Sequence, residues 1–324
     1  VTDPLPLYDT LIVGGGPAGL AASLHLAWHR RRTLVIDRVS GPLFYTLEQL
    51  WNVPGMPGAT GVEIQKRLKG QAVEMGAEIQ RGNVLKAEGK EGDFLLTGTK
   101  GAKEESWRGR TLLLATGVAR YHPLVEGDFT PCFAHAGKGN LFYCADCEGP
   151  ELFGRDTIVI GTGAADRAAA TAVGLSRYTE KLRLLLTGDS TPSASWAARL
   201  DERHIPVLTG EIHRLIEQEK RHLAGLELKD GTRLDAEAFF VSSPAHGRTD
   251  LARQLGVEMA ADGEHASPRS QRGDTNVPGV WIAGDLRPIS QQVAVALGTG
   301  NLAALMIDQH LRKGDVAGPR YDPC

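Results

Sequence analysis

Cysteine is scarce in this chain: four in 324 residues, at Cys132, Cys144, Cys147 and Cys324. A count that low excludes a disulfide-stapled scaffold, which packs several bridges into a short secreted domain. Metal ligands are short as well. Cys144 and Cys147 make one Cys-x-x-Cys pair, but no second pair and no closely spaced histidines complete a tetrahedron. No metal centre is expected, and in a reducing compartment the pair points to catalysis. Charge of one sign is missing too: a net charge of -3 gives no reason to expect nucleic acid as a partner. Long apolar runs are absent. TLLLATGV from Thr111 falls well short of the roughly 20 residues of a membrane helix. The first residues hold no basic stretch followed by an apolar one. These absences predict a cytoplasmic protein that uses neither membrane nor nucleic acid.

What is present starts with length. The chain is about two domains long at roughly 150 residues each. Its 42% hydrophobic content can bury two cores. DTLIVGGGPAGLAASLHLAWHRRRTLVID, Asp9 to Asp37, reads as strand, glycine turn, small-residue helix, strand and terminal acid. That order is the opening of a dinucleotide-binding fold. Gly14 allows the tight turn, Gly16 lets a pyrophosphate approach the backbone, and Gly19 lets helix and strand pack closely. Pro17 and Ala18 open the helix, whose N-terminus offers N–H groups and a positive dipole end. Asp37 is placed to accept hydrogen bonds from an adenosine ribose.

A second copy begins at Asp156. Gly161 and Gly163 repeat the spacing of Gly14 and Gly16, and Asp166 stands at the offset of Gly19. Between the copies, EIQRGNVLKAEGKEGDFLLTGTK predicts short strands, and RTLLLATG a buried one. Lys229–Thr232 predicts a hairpin turn centred on Asp-Gly. NVPGVWIAGDLRP predicts a strand running into Gly284 and Asp285, followed by a terminal helix. Val118–Pro123 and Ser243–Arg248 are rich in turn formers and predict linkers. The expectation is an α/β chain with two Rossmann-like domains. Residues 1-118 and 247-324 would form one, and 119-246 an inserted one that carries the Cys-x-x-Cys pair.

The chain resembles the low-molecular-weight thioredoxin reductase family of flavoproteins. The resemblance rests on GGGPAG, LVID, NVPG at Asn52–Gly55, ATG at Ala115–Gly117, CADCEG at Cys144–Gly149, AGD at Ala283–Asp285 and the Gln291–Gly300 run. It spans nearly the whole chain, in the family's order. It implies FAD in the outer domain, a homodimer, a redox disulfide in the inserted domain and a domain rotation between two working arrangements. By this resemblance Gly14, Gly16, Pro17, Ala18 and Gly19 cradle the FAD pyrophosphate, and Asp37 holds the ribose. Thr116, Gly117 and Gly284 lie in the motifs that line the cofactor, and Asn52 lies near the flavin ring. Asp285 contacts the ribityl chain, and the backbone at Gln292 and Val293 meets the pyrimidine edge. Cys147 faces the flavin, Cys144 attacks the disulfide of thioredoxin or a thioredoxin-like protein, and Glu148 exchanges the proton. The residues themselves agree with that chemistry. A thiolate is the reactive form of a cysteine, a helix N-terminus favours it, and burial suits a carboxyl group to proton transfer.

The second glycine turn departs from the family. A 2′-phosphate is normally met by arginines, whose planar fork matches it. Here the stretch after the second strand reads LLLTGDSTPSASW from Leu184, with Asp189 and no arginine before Arg199. Asp166 brings a carboxylate to where a pyrophosphate would lie. Three electron sources stay open: NADH with Asp189 on its ribose, NADPH through unusual contacts, or no pyridine nucleotide. In the last case ferredoxin is a candidate donor, and Gly161 and Gly163 could hold a second FAD or another nucleotide. That third reading is favoured, because the phosphate determinants are missing while those for FAD and the cysteine pair remain. A dithiol oxidase using oxygen and a non-enzymatic flavin redox sensor are the alternatives.

Smaller features are read as structural. Cys132 is expected in a core or loop, and Cys324 as an exposed terminal thiol. The five tryptophans are expected to pack, with Trp51 and Tyr45 close enough in sequence to Asn52 to approach the flavin. Arg30, Arg31 and Arg32 are expected to form a solvated helix end.

Overall fold

Leu7–Val13 and Thr33–Asp37 are short apolar runs buried on both faces, as parallel strands covered by helices must be. The computed structural model describes residues 5–218 and 222–315. These residues fall into two compact units. One holds the chain to Phe44, Glu63–Ala119 and the chain from His246; the other holds Tyr45–Val62 and Arg120–Ala245.

The first unit is built on a seven-stranded sheet. Its order is Glu78–Arg81, Thr33–Asp37, Leu7–Val13, Lys103–Leu114, Asp93–Lys100, Asn83–Lys90, with Val280–Ile282 also paired to Lys103–Leu114. The first four strands and Val280–Ile282 run parallel, and the last two add an antiparallel meander. Leu7–Val13 therefore lies between its successor in sequence and a strand from much later. Such a switch point opens a crevice at the carboxyl ends of the strands. Helices Pro17–Trp28 and Val293–Asp315 cover one core, lined by Ile12, Val35, Leu113, Ala303 and Ile307. Phe94, Leu96, Trp107, Leu112 and Ile282 fill another.

The second unit repeats the plan. Five parallel strands run in the order Leu141–Phe142, Ala238–Ser242, Thr157–Gly161, Leu182–Leu186, Val207–Thr209. Helices Ala165–Leu175 and Ala194–Glu202 bury Ala168, Ala169, Ala172 and Leu200 against Val159, Leu184 and Phe240. A three-stranded antiparallel sheet of Ile212–Glu217, Leu223–Leu228 and Arg233–Asp235 adds a further core. Its hairpin turns at Asp230-Gly231, where Gly231 has φ +86° and the Asp230 carboxylate accepts the Thr232 N–H at 2.9 Å.

Two expectations need revision. The linker segments contain short strands, Val118–Arg120 and Ala245–Gly247. Three residues are too few for alternation to show above turn-forming neighbours. Tyr45–Val62 packs with the second unit rather than with the sequence around it.

Candidate functional site

The first glycine turn is dictated by close approach. Gly14 has φ +109°, and a Cβ there would fall 2.3 Å from the Ala115 carbonyl oxygen. A Cβ on Gly19 would fall 1.9 Å from the Gly14 oxygen. Neither position has room for a larger residue. Gly16 is the opposite case, with nothing within 4 Å of its Cβ position. That open space lies at the start of helix Pro17–Trp28, whose N-cap is Gly16 and which no side chain caps. Its first N–H groups are thus left for an anion. The Asp37 carboxyl carbon lies 2.7 Å from where Gly15 would carry a Cβ, so the acid sits directly on the turn. A pyrophosphate beside Gly16 with a ribose at Asp37 matches this cradle, and the residues fit FAD.

Other residues expected at this site lie at neighbouring strand ends and at the start of the last helix. The sheet places Gly14, Ala115 and Ala283 after three neighbouring parallel strands. Ala115 N–H donates to Val13 O at 2.9 Å and Ala283 N–H to Leu114 O at 3.0 Å. Thr116 Oγ1 donates to the Arg248 carbonyl at 2.8 Å, and the Arg248 N–H donates to Gly117 O at 2.9 Å. Gly284, with φ +67°, donates its N–H to Thr299 Oγ1 at 3.0 Å. Asp285 follows, half-buried, in the turn Gly284–Leu286. Gln292 precedes helix Val293–Asp315, and its carbonyl accepts the Ala296 N–H at 2.9 Å. Asn52 is exposed on Tyr45–Val62, a segment of the second unit.

The cysteine pair lies in the second unit. Cys144 and Cys147 form a disulfide with a Cα–Cα distance of 5.2 Å. Cys144 is the N-cap of the four-residue helix Ala145–Glu148, and its Sγ accepts the Cys147 N–H at 3.1 Å. The Glu148 carboxylate folds back onto the same turn. Its Oε2 accepts the N–H groups of Tyr143 at 2.7 Å and Cys144 at 2.9 Å. Burial pushes the Glu148 carboxyl above its ordinary 4.5, although those two N–H donors and the charge of Arg120 pull the other way. Behind the pair, the Tyr143 hydroxyl meets His122 Nδ1 at 2.8 Å, and Arg120 donates to the Tyr143 carbonyl at 3.2 Å. Burial, and then the charge of Arg120, lower the His122 pKa. An acid held at the dithiol turn by its own backbone can exchange a proton there without a long side-chain search.

The second glycine turn keeps the strand-to-helix path and changes its details. Helix Ala165–Leu175 begins four residues after Gly161, whereas Pro17–Trp28 begins three after Gly14. Close packing falls to Ala168, whose Cβ lies 2.5 Å from the Cβ position of Gly161. Asp166 therefore does not occupy the place of Gly19. Its Oδ1 accepts the Ser193 N–H at 2.6 Å. The loop between Leu186 and Ser193 makes two more bonds to the turn: Ser190 Oγ to Gly163 O at 2.9 Å, and Thr187 Oγ1 to Gly161 O at 3.1 Å. Asp189 is exposed.

Some residues at these turns escape a reading of the sequence. Gln65, on helix Gly61–Glu74, is buried, and its Nε2 donates to the Gly15 carbonyl. A single glutamine among polar helix positions gives no signal for that contact. Gly300 lets two helices touch, since a Cβ there would fall 2.0 Å from Ala18 O. The middle glycine of the first turn is readable in principle, because a run of three glycines before a buried helix asks why none carries a side chain.

Other expectations divide. Cys132 is buried, and burial pushes its thiol up to about 12. Cys324 lies outside the described residues. Arg31 is not solvated: it binds Asp308 at 2.8 Å and also Asp315, because the end of helix Val293–Asp315 lies against it. Trp107 and Trp281 are buried and Trp196 half-buried. Trp28 and Trp51 are 68% and 63% exposed, the first at a helix end and the second against Gly58. Among the described residues no group of three or more potential ligands forms a metal site, and no helix is long and apolar enough to cross a membrane.

Comparison with known proteins agrees with this geometry. The family model described as pyridine nucleotide-disulphide oxidoreductase matches residues 8–300. The thioredoxin reductase of Treponema pallidum is 30% identical over 310 residues, covering 92% of this chain and 95% of the relative. That of Bacillus subtilis is 26% identical over 315 residues, covering 95% and 96%. Among solved structures, a putative thioredoxin reductase from Bacillus anthracis superposes with a TM-score of 0.82 at 22% identity, covering 94% of this chain and 99% of that one, a likeness of fold.

Proposed function

The chain belongs to the thioredoxin reductases among the pyridine nucleotide-disulphide oxidoreductases, FAD-dependent disulfide oxidoreductases, and from that premise we propose that it reduces a thioredoxin-like protein with electrons that do not come from NADPH. The observation that carries the reaction is the Cys144–Cys147 turn with Glu148 bonded to its backbone. The observation that carries the donor reading is the arginine-free stretch after Leu182–Leu186.

Gly14, Gly16, Pro17, Ala18, Gly19 and Asp37 hold the FAD diphosphate and ribose in this reading, with Thr116, Gly117, Gly284, Asp285, Gln292 and Val293 lining the rest and Asn52 near the ring. Bound FAD supplies the electron pair that opens the Cys144–Cys147 bond. The protein's own residues carry out the exchange. Cys144 Sγ attacks one sulfur of the partner disulfide; a mixed disulfide forms and the other partner sulfur leaves as thiolate. Cys147 Sγ then attacks Cys144 Sγ. The internal disulfide reforms and the second partner sulfur is released. Two electrons pass to the partner, and Glu148, whose carboxyl burial pushes above its ordinary value, delivers a proton to a departing thiolate. The donor is a one- or two-electron carrier other than a pyridine nucleotide, with reduced ferredoxin the first candidate, and the working form is a homodimer.

Anaerobic reduction of the purified flavoprotein tests this reading. The flavin absorption band is followed after addition of NADPH, then NADH, then photoreduced ferredoxin. Bleaching by ferredoxin alone is expected. Rapid bleaching by NADPH overturns the donor assignment and leaves the disulfide chemistry in place. Light scattering of the same sample checks the dimer.

A further inference from the structure

We propose that Asp166 is a specificity-determining residue for the electron donor: with Ser193 and Ser190 it latches the loop after Leu182–Leu186 onto the second glycine turn and closes that turn to a nucleotide diphosphate. The inference rests on the reading that NADPH is not the donor, and gives it a physical cause beyond the missing arginines.

A dinucleotide site of this plan needs two things at once. The glycine turn and the first N–H groups of the helix must face a diphosphate, and the loop after the next strand must stand aside to receive the adenosine ribose. Both turns leave room at the second glycine, since nothing lies within 4 Å of the Gly16 Cβ position and only Pro244, at 3.8 Å, lies that near the Gly163 one; the units differ in the loop. In the second unit the corresponding loop is bonded to the turn itself. Ser190 Oγ donates to the Gly163 carbonyl at 2.9 Å, and Thr187 Oγ1 to the Gly161 carbonyl at 3.1 Å. Asp166 takes the Ser193 N–H at 2.6 Å from the second position of helix Ala165–Leu175. The delayed helix start is what makes this possible, because it carries Asp166 away from the packing position that Gly19 fills in the first turn.

The test uses the intact flavoprotein and NADH, which needs no arginine for a 2′-phosphate. Binding is read by NADH fluorescence and by flavin bleaching in wild type, Asp166→Ala, Asp166→Asn and Ser193→Pro. Ser193 has φ -58°, which proline adopts, so Ser193→Pro removes the N–H donor while leaving Asp166 in place. Expected are weak binding by wild type, at least about a tenfold tighter Kd for Asp166→Ala and Ser193→Pro, and little change for Asp166→Asn, which keeps an acceptor oxygen. Wild-type affinity in Asp166→Ala and Ser193→Pro, with thermal unfolding near wild type, overturns the latch but leaves the donor reading standing. Equal gains in Asp166→Asn and Asp166→Ala overturn it also, since charge alone would then be the cause. Tight NADH or NADPH binding by wild type removes the donor reading itself.

Discussion

The two glycine turns of this chain share the Gly-x-Gly spacing, at Gly14 and Gly16 and at Gly161 and Gly163, and each joins a buried parallel strand to a helix. They differ in what the glycines meet. In the first, missing side chains let backbone touch backbone, Gly14 against Ala115 and Gly19 against Gly14, and leave Gly16 facing open space. In the second, Gly161 meets side chains, Ala168 and Leu186, and the carbonyl of Gly163 is taken by Ser190. The spacing alone therefore encodes a strand-to-helix turn. In the proposed latch, the start of the helix and the next loop decide whether that turn receives a phosphate.

The largest expected effect comes from filling the first turn. Gly14→Val forces a branched side chain into φ +109° and against a carbonyl oxygen 2.3 Å from its Cβ. Backbone cannot give way as a side chain can, so a loss of more than about 4 kcal/mol is expected. Purified protein should be colourless and melt well below wild type. Recovery of a fully flavin-loaded variant would show that the first turn is no more demanding than the second.

Next is the ion pair that ties the first unit's two long helices. Arg31 meets Asp308 at 2.8 Å, with side chains 14% and 3% exposed. The nearest counterpart in the second unit, Arg183 with Asp156 at 2.7 Å, is 26% and 40% exposed. Arg312 still meets Asp308, so Arg31→Met removes one charged hydrogen bond to a buried carboxylate and should cost about 2 kcal/mol. Arg183→Met should cost at most about 1 kcal/mol, since water screens that pair. Denaturant melts of the two variants check the contrast. Burial alone would raise the Asp308 carboxyl, but hydrogen bonds from Arg312 and Arg31 outweigh it and hold it below 3.8. Its contribution to stability is therefore present above 3.8 and is lost as pH falls through the depressed value. Arg31→Met should flatten that acid limb.

How much of this is legible in the sequence depends on the range of each signal. Gly19 and Asp37 declare themselves within 30 residues, because one βαβ unit contains both the constraint and its partners, whereas Gly14 is legible from the glycine pattern although the atom it meets belongs to Ala115. The parallel strands and the Asp230-Gly231 turn are equally local. Arg31 reads as solvated because its partner, Asp308, lies 277 positions away. Gln65 touches Gly15 from 50 positions away through a side chain that any exposed helix could carry. The acid at Asp166 is visible in the residues alone. Its hydrogen bond to Ser193 is not, because a one-residue shift in helix start leaves no mark on the composition.

The dithiol gives a contrast of another kind: the second unit has an altered nucleotide turn and retains a cysteine turn with an acid. Glu148→Gln keeps shape and an acceptor but removes the transferable proton. Turnover with a thioredoxin-like disulfide should fall about 100-fold. In wild type the protonated form acts, so the rate should decline as pH rises through the raised pKa of Glu148, and the variant should lose that limb. Stability follows the same sign. A carboxyl raised by burial contributes stability that is complete below 4.5 and is lost as pH rises through its folded value. Unchanged turnover and an unchanged pH profile would remove Glu148 from the proton path.

A small effect, and the sharpest comparison with Gly14, is expected at Gly163. Its φ is +85°, and the closest atom to a Cβ there is Pro244 Cδ at 3.8 Å, an ordinary contact. Gly163→Ala therefore meets only the left-handed backbone penalty, about 1–2 kcal/mol, with no steric clash. If the second turn binds no nucleotide, this variant should melt slightly lower, keep its full flavin content and turn over thioredoxin-like substrate at the wild-type rate with the same donor. If instead a diphosphate must approach the Gly163 backbone, the added methyl group would stand in its path, and turnover would drop while stability changed little. The same substitution thus separates a glycine kept for its backbone angle from one kept for a ligand, and it does so at the position where the two turns are most alike in sequence.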